Sequence, residues 1–261
     1  MRFNLTILIF VLITSITFPQ IEENAEKDFG KFLEVGGDVL TSPKDFKSED
    51  WIKLTSTIGV TGLAMLIDED VKDFSQSYKT DFLNTVFSID DYYHVELMAG
   101  SIIALYTYGL IDKNSKVRNL SLRLAESTIY ATVIDFSIKF LAGRSRPFYT
   151  NSSWDYEPFQ TSYEQTSFAS GHSTLAFAFS SVMAKEYKNF FWKFGWYTLA
   201  ALTAYSRVYN NQHWFSDVVF GSAIGLFVGN FVNNHKTNQK SKITNEPIIP
   251  PPPIISVSIP F

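Results

Sequence analysis

The sequence of 261 residues contains no cysteine. This absence excludes a disulfide scaffold, a cysteine-ligated zinc or iron–sulfur site and a cysteine nucleophile. Charged residues are also scarce, at 18% of the chain, against about 25% in ordinary soluble domains. The net charge of −4 has the wrong sign for a protein that neutralises many nucleic-acid phosphates, so we expect no nucleic-acid partner. Hydrophobic residues, by contrast, make up 46% of the chain and aromatic residues 16%, which excludes a disordered protein.

The two ends of the chain differ in composition from its middle. Residues 1–20 begin with a positive residue, Arg2, and continue with an apolar run from Leu5 to Ile16. This pattern is typical of a signal peptide, with an uncleaved N-terminal anchor as the alternative, and either one directs the following residues across a membrane. Residues 236–261 form a Pro-rich tail, because six of the ten prolines lie in its last fifteen residues.

Six apolar stretches lie between these ends. None alternates with the period of two that a half-buried strand shows, so the sequence predicts an all-α fold, a helical bundle of five to six core helices. Residues 21–94 are expected to form an N-terminal helical extension of this bundle, with an acidic loop at 68–93. The apolar stretches are residues 54–67, 97–111, 124–142, 173–184, 190–206 and 218–232.

The charges of the loops favour a bundle embedded in a membrane. The loops at 112–123 and 185–193 are rich in lysine and arginine, whereas the 68–93 segment carries seven acidic residues and two lysines. This alternation follows the positive-inside rule. If all six stretches spanned, the basic loops would lie on the wrong side, so we expect residues 54–67 to lie in the interface or to pack without spanning. A soluble periplasmic bundle with solvated basic loops is the alternative.

The first polar motif is Ser170-Gly171-His172, directly before the fourth apolar stretch. A turn at a helix N-terminus offers free backbone N–H groups and the positive end of the helix dipole, and both attract an anion. His172 would place an imidazole beside that anion. A simple N-cap by Ser170 or Ser173 is the other interpretation.

The second motif runs from Ser206-Arg207 to His213 and Asp217. His213 and Asp217 are four residues apart, so on a helix they share a face and can form a hydrogen bond. A carboxylate on one imidazole nitrogen fixes the tautomer and leaves the other nitrogen as a nucleophile or base. Arg207 can hold an anionic group with its bidentate fork. A salt bridge at a helix start is the alternative.

The third motif places Lys139, Arg144 and Arg146 within eight residues at the end of an apolar stretch, where Gly143 and Pro147 stop the helix. Cations at a helix C-terminus are favoured by the dipole, which is the simpler interpretation. That role alone does not need both arginines bunched at the turn.

Together, these motifs resemble the signature of the type 2 phosphatidic acid phosphatase (PAP2) superfamily, which includes bacterial acid phosphatases and vanadium haloperoxidases. The order and spacing K-x6-RP, S-G-H and S-R-x5-H-x3-D are similar to the family's three motifs. One position differs, because Ala169 stands where the family usually has proline, which puts the rate of turnover in doubt. The matching residues are Lys139, Arg146 and Pro147; Ser170, Gly171 and His172; Ser206, Arg207, His213 and Asp217.

The resemblance implies a PAP2-like core over residues 95–235 and a mechanism without metal or other cofactor. His213 would attack phosphorus to form a phosphohistidine, Asp217 would orient its ring, and His172 would protonate the leaving group and then activate water. The implied phosphate-binding residues are Lys139, Arg146, Ser170, Gly171 and Arg207.

We therefore expect a metal-independent phosphatase for a lipid phosphomonoester or pyrophosphate, in a membrane, with its site on the periplasmic or external face. A soluble periplasmic acid phosphatase for small phosphomonoesters is the main alternative. A vanadium haloperoxidase and an inactive lipid-binding relative are weaker ones. Four aromatic residues of the 143–169 loop are candidates for an acceptor groove: Phe148, Tyr149, Trp154 and Tyr156.

Overall fold

A computed structural model describes residues 19–93 and 95–245 of the protein. Within these ranges the regular secondary structure is helical, apart from an isolated bridge between Arg144 and Tyr156, so the predicted all-α class is confirmed. The α-helices are α1 (Pro19–Thr41), α2 (Ser48–Met65), α3 (Asp68–Ser77), α4 (Asp81–Val86), α5 (Val95–Ile111), α6 (Ser115–Ala142), α7 (Gly171–Glu186), α8 (Phe190–Tyr209) and α9 (Phe215–Asn245).

Each of the six predicted apolar stretches falls on a helix. These helices are α2, α5, α6, α7, α8 and α9. Helix α9 continues to Asn245, ten residues into the segment expected as a tail. Most of the predicted leader, His94 and the proline-rich residues from 246 onward lie outside the described residues, so the predictions for them stay predictions.

The acidic segment 68–93, expected as a loop, instead contains α3 and α4, followed by a 3-10 turn. Asp68, Glu69 and Asp70 fill the first turn of α3, where the helix dipole favours negative charge. Thr80 caps α4 by accepting a hydrogen bond from the amide of Leu83 at 3.2 Å. Local charge and capping form these helices, and a search for apolar stretches does not detect them.

Helix α6 has a well-defined start and a well-defined end. The Asn114 side chain caps its start by accepting a hydrogen bond from the amide of Val117 at 3.2 Å. Gly143 ends it in the left-handed region, with φ of 59°, and donates its amide to the carbonyl of Lys139 at 2.9 Å. A Cβ at this position would lie 1.6 Å from the Glu157 carbonyl oxygen, so only glycine fits.

Helices α7 and α9 pack with their backbones in close contact along a stripe of glycines. Gly221, Gly225 and Gly229 recur every four residues and therefore lie on one face of α9. A Cβ at Gly221 would lie 2.6 Å from the carbonyl oxygen of Ser170, and a Cβ at Gly225 would lie 2.3 Å from that of Thr174. The absent side chains bring the starts of the two helices side by side.

The N-terminal extension belongs to the same bundle as the rest of the chain. Val35 and Val39 of α1 are 2% and 3% exposed, and they lie in one buried cluster with Ala131 of α6 and Val228 of α9. The extension therefore packs against the helices that carry the motifs.

Large apolar side chains stay exposed on several helices. Helix α2 buries only Thr61 and Ala64, while Ile52, Ile58 and Leu63 on the same helix are more than half exposed. Among the described residues, one helix segment, Phe215–His235 of α9, is long and apolar enough to cross a membrane, and half of its apolar window is buried in the protein. An exterior with so much apolar surface is unusual for a protein surrounded by water.

Candidate functional site

Three helix ends meet at one end of the bundle: the C-terminus of α6 and the N-termini of α7 and α9. The amide of Ser170, directly before α7, donates to the carbonyl of Asp217 in the first turn of α9 at 3.0 Å. The ammonium of Lys139, in the last turn of α6, donates to the carbonyl of Ala169. The three sequence motifs are thus brought together as predicted.

His213 lies buried at the centre of this region, in the loop between α8 and α9, with 3% of its surface exposed. Its Nδ1 is 3.5 Å from Oδ2 of Asp217, and its Nε2 is 3.3 Å from Nη1 of Arg146. A guanidinium can only donate, so Nε2 is the acceptor and the ring proton is assigned to Nδ1, facing the carboxylate. This tautomer leaves the lone pair on Nε2, on the side of Arg146.

Burial lowers the pKa of His213 well below its usual value of 6.5. The hydrogen bond that Asp217 accepts from His213 opposes this shift, while the positive charges of Arg146 and Lys139 add to it. His213 is therefore neutral at pH 7.

The Asp217 carboxylate is held on both oxygens and is fully buried. Its Oδ2 accepts from the hydroxyl of Ser167 at 2.5 Å and from the amide of Trp214 at 2.9 Å. Its Oδ1 accepts from Nη1 of Arg144 at 2.6 Å. The Ser167 hydroxyl also lies 3.5 Å from Nδ1 of His213, so it helps to align the pair, a role that the sequence analysis did not assign.

Arg146 ties two loops together beside His213. Its Nε donates to the carbonyl of Tyr163 at 2.8 Å, Nη2 to that of Thr166 at 3.3 Å and Nη1 to that of Gln212 at 3.1 Å. The guanidinium lies over the Tyr163 ring, 4.0 Å from its centre. The predicted phosphate-binding arginine is thus fixed next to the lone pair of the histidine.

Lys139 is buried and binds the loop that precedes α7. Its Nζ donates to the carbonyls of Thr166 at 3.0 Å and Ser167 at 3.3 Å, in addition to Ala169, and lies 3.8 Å from Oδ2 of Asp135. An ammonium has three donors, and here backbone carbonyls occupy them. The predicted contact of Lys139 with phosphate therefore requires one carbonyl to be exchanged for a phosphate oxygen.

The N-terminus of α7 has the form expected of an anion site. The Ser170 side chain makes no capping hydrogen bond, and its hydroxyl accepts from Ser173 at 2.9 Å, so the simple N-cap interpretation does not describe Ser170. Gly171 is the first helical residue, and a Cβ there would lie 3.2 Å from a carboxylate oxygen of Asp135. His172 follows in the first turn and is half-buried.

Arg207, at the end of α8, approaches the same region. Its carbonyl accepts from the amides of Gln212 at 2.9 Å and His213 at 3.2 Å, which shapes the turn that carries the histidine. Burial lowers the pKa of Arg146, and the positive charge of Arg207 lowers it further. Two arginine charges close enough to disfavour each other form a site suited to an anion.

Arg144 differs from its neighbour Arg146, which is among the predicted phosphate-binding residues. It is fully buried, and each of its five N–H groups has an acceptor. The acceptors are the Ser153 carbonyl at 2.9 and 2.6 Å, the Ser216 hydroxyl at 2.7 Å, Asp217 at 2.6 Å and Asp68 at 2.8 Å. Arg144 therefore has no N–H group left for an anion, because its donors are consumed inside the protein.

The four aromatic residues proposed as an acceptor groove lie in different surroundings. Phe148, Tyr149 and Trp154 are exposed at 42%, 61% and 58%. Tyr156 is half-buried, with its ring centre 5.4 Å from Cζ of Arg144. The first three remain candidates for contact with a substrate, whereas Tyr156 packs on the buried arginine.

Among the described residues, one group of side chains is close enough to share a metal ion, and it lies far from His213. Ligand atoms of Glu34, Asp38 and His235 are all within 4.8 Å of one another. His235 follows Asp217 by eighteen residues on α9, which is about 27 Å along a helix. This group is therefore not part of the site at the helix starts.

The sequence is similar to that of known lipid phosphatases. Residues 120–240 match the model of the PAP2 superfamily. The chain is 42% identical over 65 residues to the lipid A 1-phosphatase of Porphyromonas gingivalis, which is 24% of this chain and 15% of that protein's length. It is 26% identical over 154 residues to the undecaprenyl-diphosphatase of Sulfolobus acidocaldarius, or 55% of this chain and 73% of the relative.

Two solved structures share the fold. The LpxE crystal structure from Aquifex aeolicus superimposes with a TM-score of 0.51 at 21% identity, over 64% of this chain and 95% of LpxE. A transmembrane PAP2-type phosphatidylglycerolphosphate phosphatase from Bacillus subtilis gives a TM-score of 0.50 at 18% identity, over 81% of this chain and 95% of that one. The resemblance inferred from the motifs is confirmed. Residues 120–240, the part of the chain that matches the PAP2 superfamily model, contain all three motifs.

Proposed function

We propose that the protein is a phosphatase that releases phosphate from a lipid phosphomonoester or pyrophosphate through a phosphohistidine at His213. The observation that carries this proposal is the arrangement of His213, whose Nδ1 faces Asp217 while its Nε2 lies 3.3 Å from the Arg146 guanidinium. A neutral, oriented imidazole beside a cation suits a nucleophile that attacks a phosphate group.

In the first step, the Nε2 lone pair of His213 forms a bond to phosphorus while the bond from phosphorus to the lipid oxygen breaks. His172 donates a proton to the departing alkoxide or phosphate oxygen. The imidazole of His213 becomes positively charged, and the carboxylate of Asp217 stabilises that charge.

In the second step, water forms a new bond to phosphorus and gives a proton to His172. The bond between phosphorus and Nε2 breaks, its electron pair returns to His213, and inorganic phosphate leaves. The non-bridging oxygens bind to the chain's own donors throughout, which neutralises the charge that the transition state spreads over them. These donors are Lys139, Arg146, Arg207, the Ser170 hydroxyl and the Gly171 amide.

A lipid substrate is supported by the exterior of the protein and by the names of its relatives. The relatives are named for lipid A and undecaprenyl diphosphate, which both carry phosphate on an apolar anchor. Helix α2 exposes apolar side chains along most of its length. A protein that lies in a membrane with this surface receives its substrate from the same bilayer.

The charge distribution supports a site on the periplasmic or external face. Helices α6, α7 and α9 carry the site at one end, and their opposite ends adjoin residues 112–118, 185–193 and 236–242. These three segments are rich in lysine and arginine. Basic segments stay on the inner side of a membrane, so the site would lie on the outer side.

Trapping the covalent intermediate tests the proposal. The purified full chain is mixed in detergent and EDTA with phosphatidate or undecaprenyl pyrophosphate carrying ³²P in the terminal phosphate, and the reaction is quenched with alkali. We expect label on the peptide that contains His213, stable in alkali and released by acid. The His235→Ala variant should trap the same amount of label.

Rapid hydrolysis of the lipid without any trapped label would contradict the phosphohistidine step. The same assay with p-nitrophenyl phosphate separates the substrate classes. Faster turnover of this soluble ester than of every lipid phosphate would favour a periplasmic acid phosphatase.

The lowered pKa of His213 predicts an acid-tolerant enzyme. A neutral His213 is required for attack, and an ordinary histidine would be half protonated at pH 6.5. Because burial lowers the pKa of His213, kcat/KM should stay level as the pH falls through 6.5 and decrease only at lower pH. The substrate phosphate titrates nearby, so its ionisation is measured by ³¹P NMR and divided out. A corrected half-maximal point at or above 6.5 would refute the prediction.

A further inference from the structure

We infer that Asp68, at the start of α3 in the N-terminal extension, is a positioning residue that acts on His213 through Arg144 and Asp217. The inference rests on the proposed function, because it concerns the same histidine. Asp68 lies outside residues 120–240, the part of the chain that matches the PAP2 superfamily.

The contacts form an unbroken chain of buried ion pairs. Oδ2 of Asp68 lies 2.8 Å from Nη2 of Arg144, whose Nη1 lies 2.6 Å from Oδ1 of Asp217. All three side chains are fully buried. The other oxygen of Asp217 lies 3.5 Å from Nδ1 of His213. Only the side chains of Arg144 and Asp217 therefore lie between Asp68 and the imidazole, and both are buried.

Asp68 is itself held rigidly. Its Oδ1 accepts from the amide of Ser216 at 2.8 Å, and its Oδ2 accepts from the Ser216 hydroxyl at 2.6 Å. The same hydroxyl accepts from Nη1 of Arg144 at 2.7 Å. Because Ser216 directly precedes Asp217, Asp68 fixes both the arginine and the start of the helix that carries the carboxylate.

The charges explain what Asp68 contributes. Arg144 is one positive charge shared between two carboxylates, so the trio keeps a net charge of −1. Without Asp68, Arg144 would neutralise Asp217 alone, and less negative charge would be left to stabilise the positively charged phosphohistidine. In a buried site these charges are weakly screened, so the loss acts on the transition state.

The test compares Asp68→Asn with Asp70→Asn in the purified full chain, with phosphatidate in mixed micelles. Both variants remove one negative charge from the first turn of α3, but Asp70 is exposed. We expect Asp68→Asn to lower kcat by about tenfold to 100-fold, as the loss of residues that orient a reactive group does elsewhere, with KM within about twofold. Asp70→Asn should match the wild type.

The decrease of kcat/KM at acidic pH, the acid limb, gives a second readout. A purely structural role of Asp68 would leave the pH of this decrease unchanged. His213 faces Asp217, Arg146 and Lys139, and only the balance between Arg144 and Asp217 changes in Asp68→Asn. Removal of a negative charge disfavours the imidazolium, so the limb should move to lower pH.

Equal kcat and equal acid limbs in Asp68→Asn and Asp70→Asn would overturn the inference while leaving the phosphatase proposal intact. Full activity in His213→Ala would instead overturn the proposed function. If Asp68→Asn does not fold, Ser216→Ala carries the test, because it removes the hydroxyl between Asp68 and Arg144 and keeps every charge. A lower kcat at unchanged KM then supports the inference, and an unchanged kcat overturns it.

Discussion

Replacing His213 by alanine should reduce the release of phosphate from a lipid phosphate by about ten-thousandfold or more. The variant loses the only atom proposed to bond to phosphorus, and water would have to attack the substrate directly. Binding should persist, because Arg146 keeps its hydrogen bonds to the carbonyls of Tyr163, Thr166 and Gln212. The measurement is kcat and KM for phosphatidate and undecaprenyl pyrophosphate. We expect the kcat of His213→Ala to vanish and its substrate binding to change little.

His235→Ala is the matched control for this experiment. It removes a histidine from the same helix that begins beside His213, at a position about 27 Å from Asp217. The control should keep its activity within about twofold. A His213→Ala enzyme with more than about one hundredth of the wild-type kcat would exclude His213 as the nucleophile.

Replacing Arg144 by leucine should lower the free energy of unfolding by about 3–5 kcal/mol. The substitution leaves Asp68 and Asp217 buried together without the cation that separates their charges. It also frees the Ser153 carbonyl, which accepts two of the arginine's hydrogen bonds. Unfolding in detergent with increasing urea, followed by tryptophan fluorescence, measures the loss.

Arg123→Leu provides the comparison for Arg144→Leu. Arg123 pairs with Glu186 at 2.6 Å, but both side chains keep partial contact with solvent, at 18% and 11% exposure. Removing one partner of an ion pair costs less when the pair has access to solvent than when it is buried. Arg123→Leu should therefore lower the free energy of unfolding clearly less than Arg144→Leu does. Equal losses in the two variants would show that Arg144 does not stabilise the protein as a buried ion partner.

The helices were predictable because their signal is local. Apolar stretches mark α2 and α5 to α9, and Gly143 marks the end of α6 from its position in the sequence alone. Short helices rich in polar residues, such as α3, contain no long apolar stretch, so the sequence predicts a loop there.

The site was predictable only where residue type and spacing carry information. His213, Asp217 and Arg146 stand at fixed intervals in motifs, and the structure brings them together. Asp68 is one of seven acidic residues in its segment, and its partner Arg144 lies 76 residues away, so nothing local distinguishes it. The different partners of Arg144 and Arg146 likewise depend on packing between residues that are far apart in the sequence, and residue type and spacing do not reveal that packing.

The glycine stripe between α7 and α9 has a consequence for how the enzyme works. The two helices that carry the predicted anion-binding amides and the carboxylate of Asp217 touch through their backbones at Gly221 and Gly225. The amide of Ser170 further joins them through the carbonyl of Asp217. The start of α7 and the carboxylate that faces His213 are thus held on one rigid unit, so their relative position is set during folding. We expect this spacing to stay the same whether or not a phosphate group is bound.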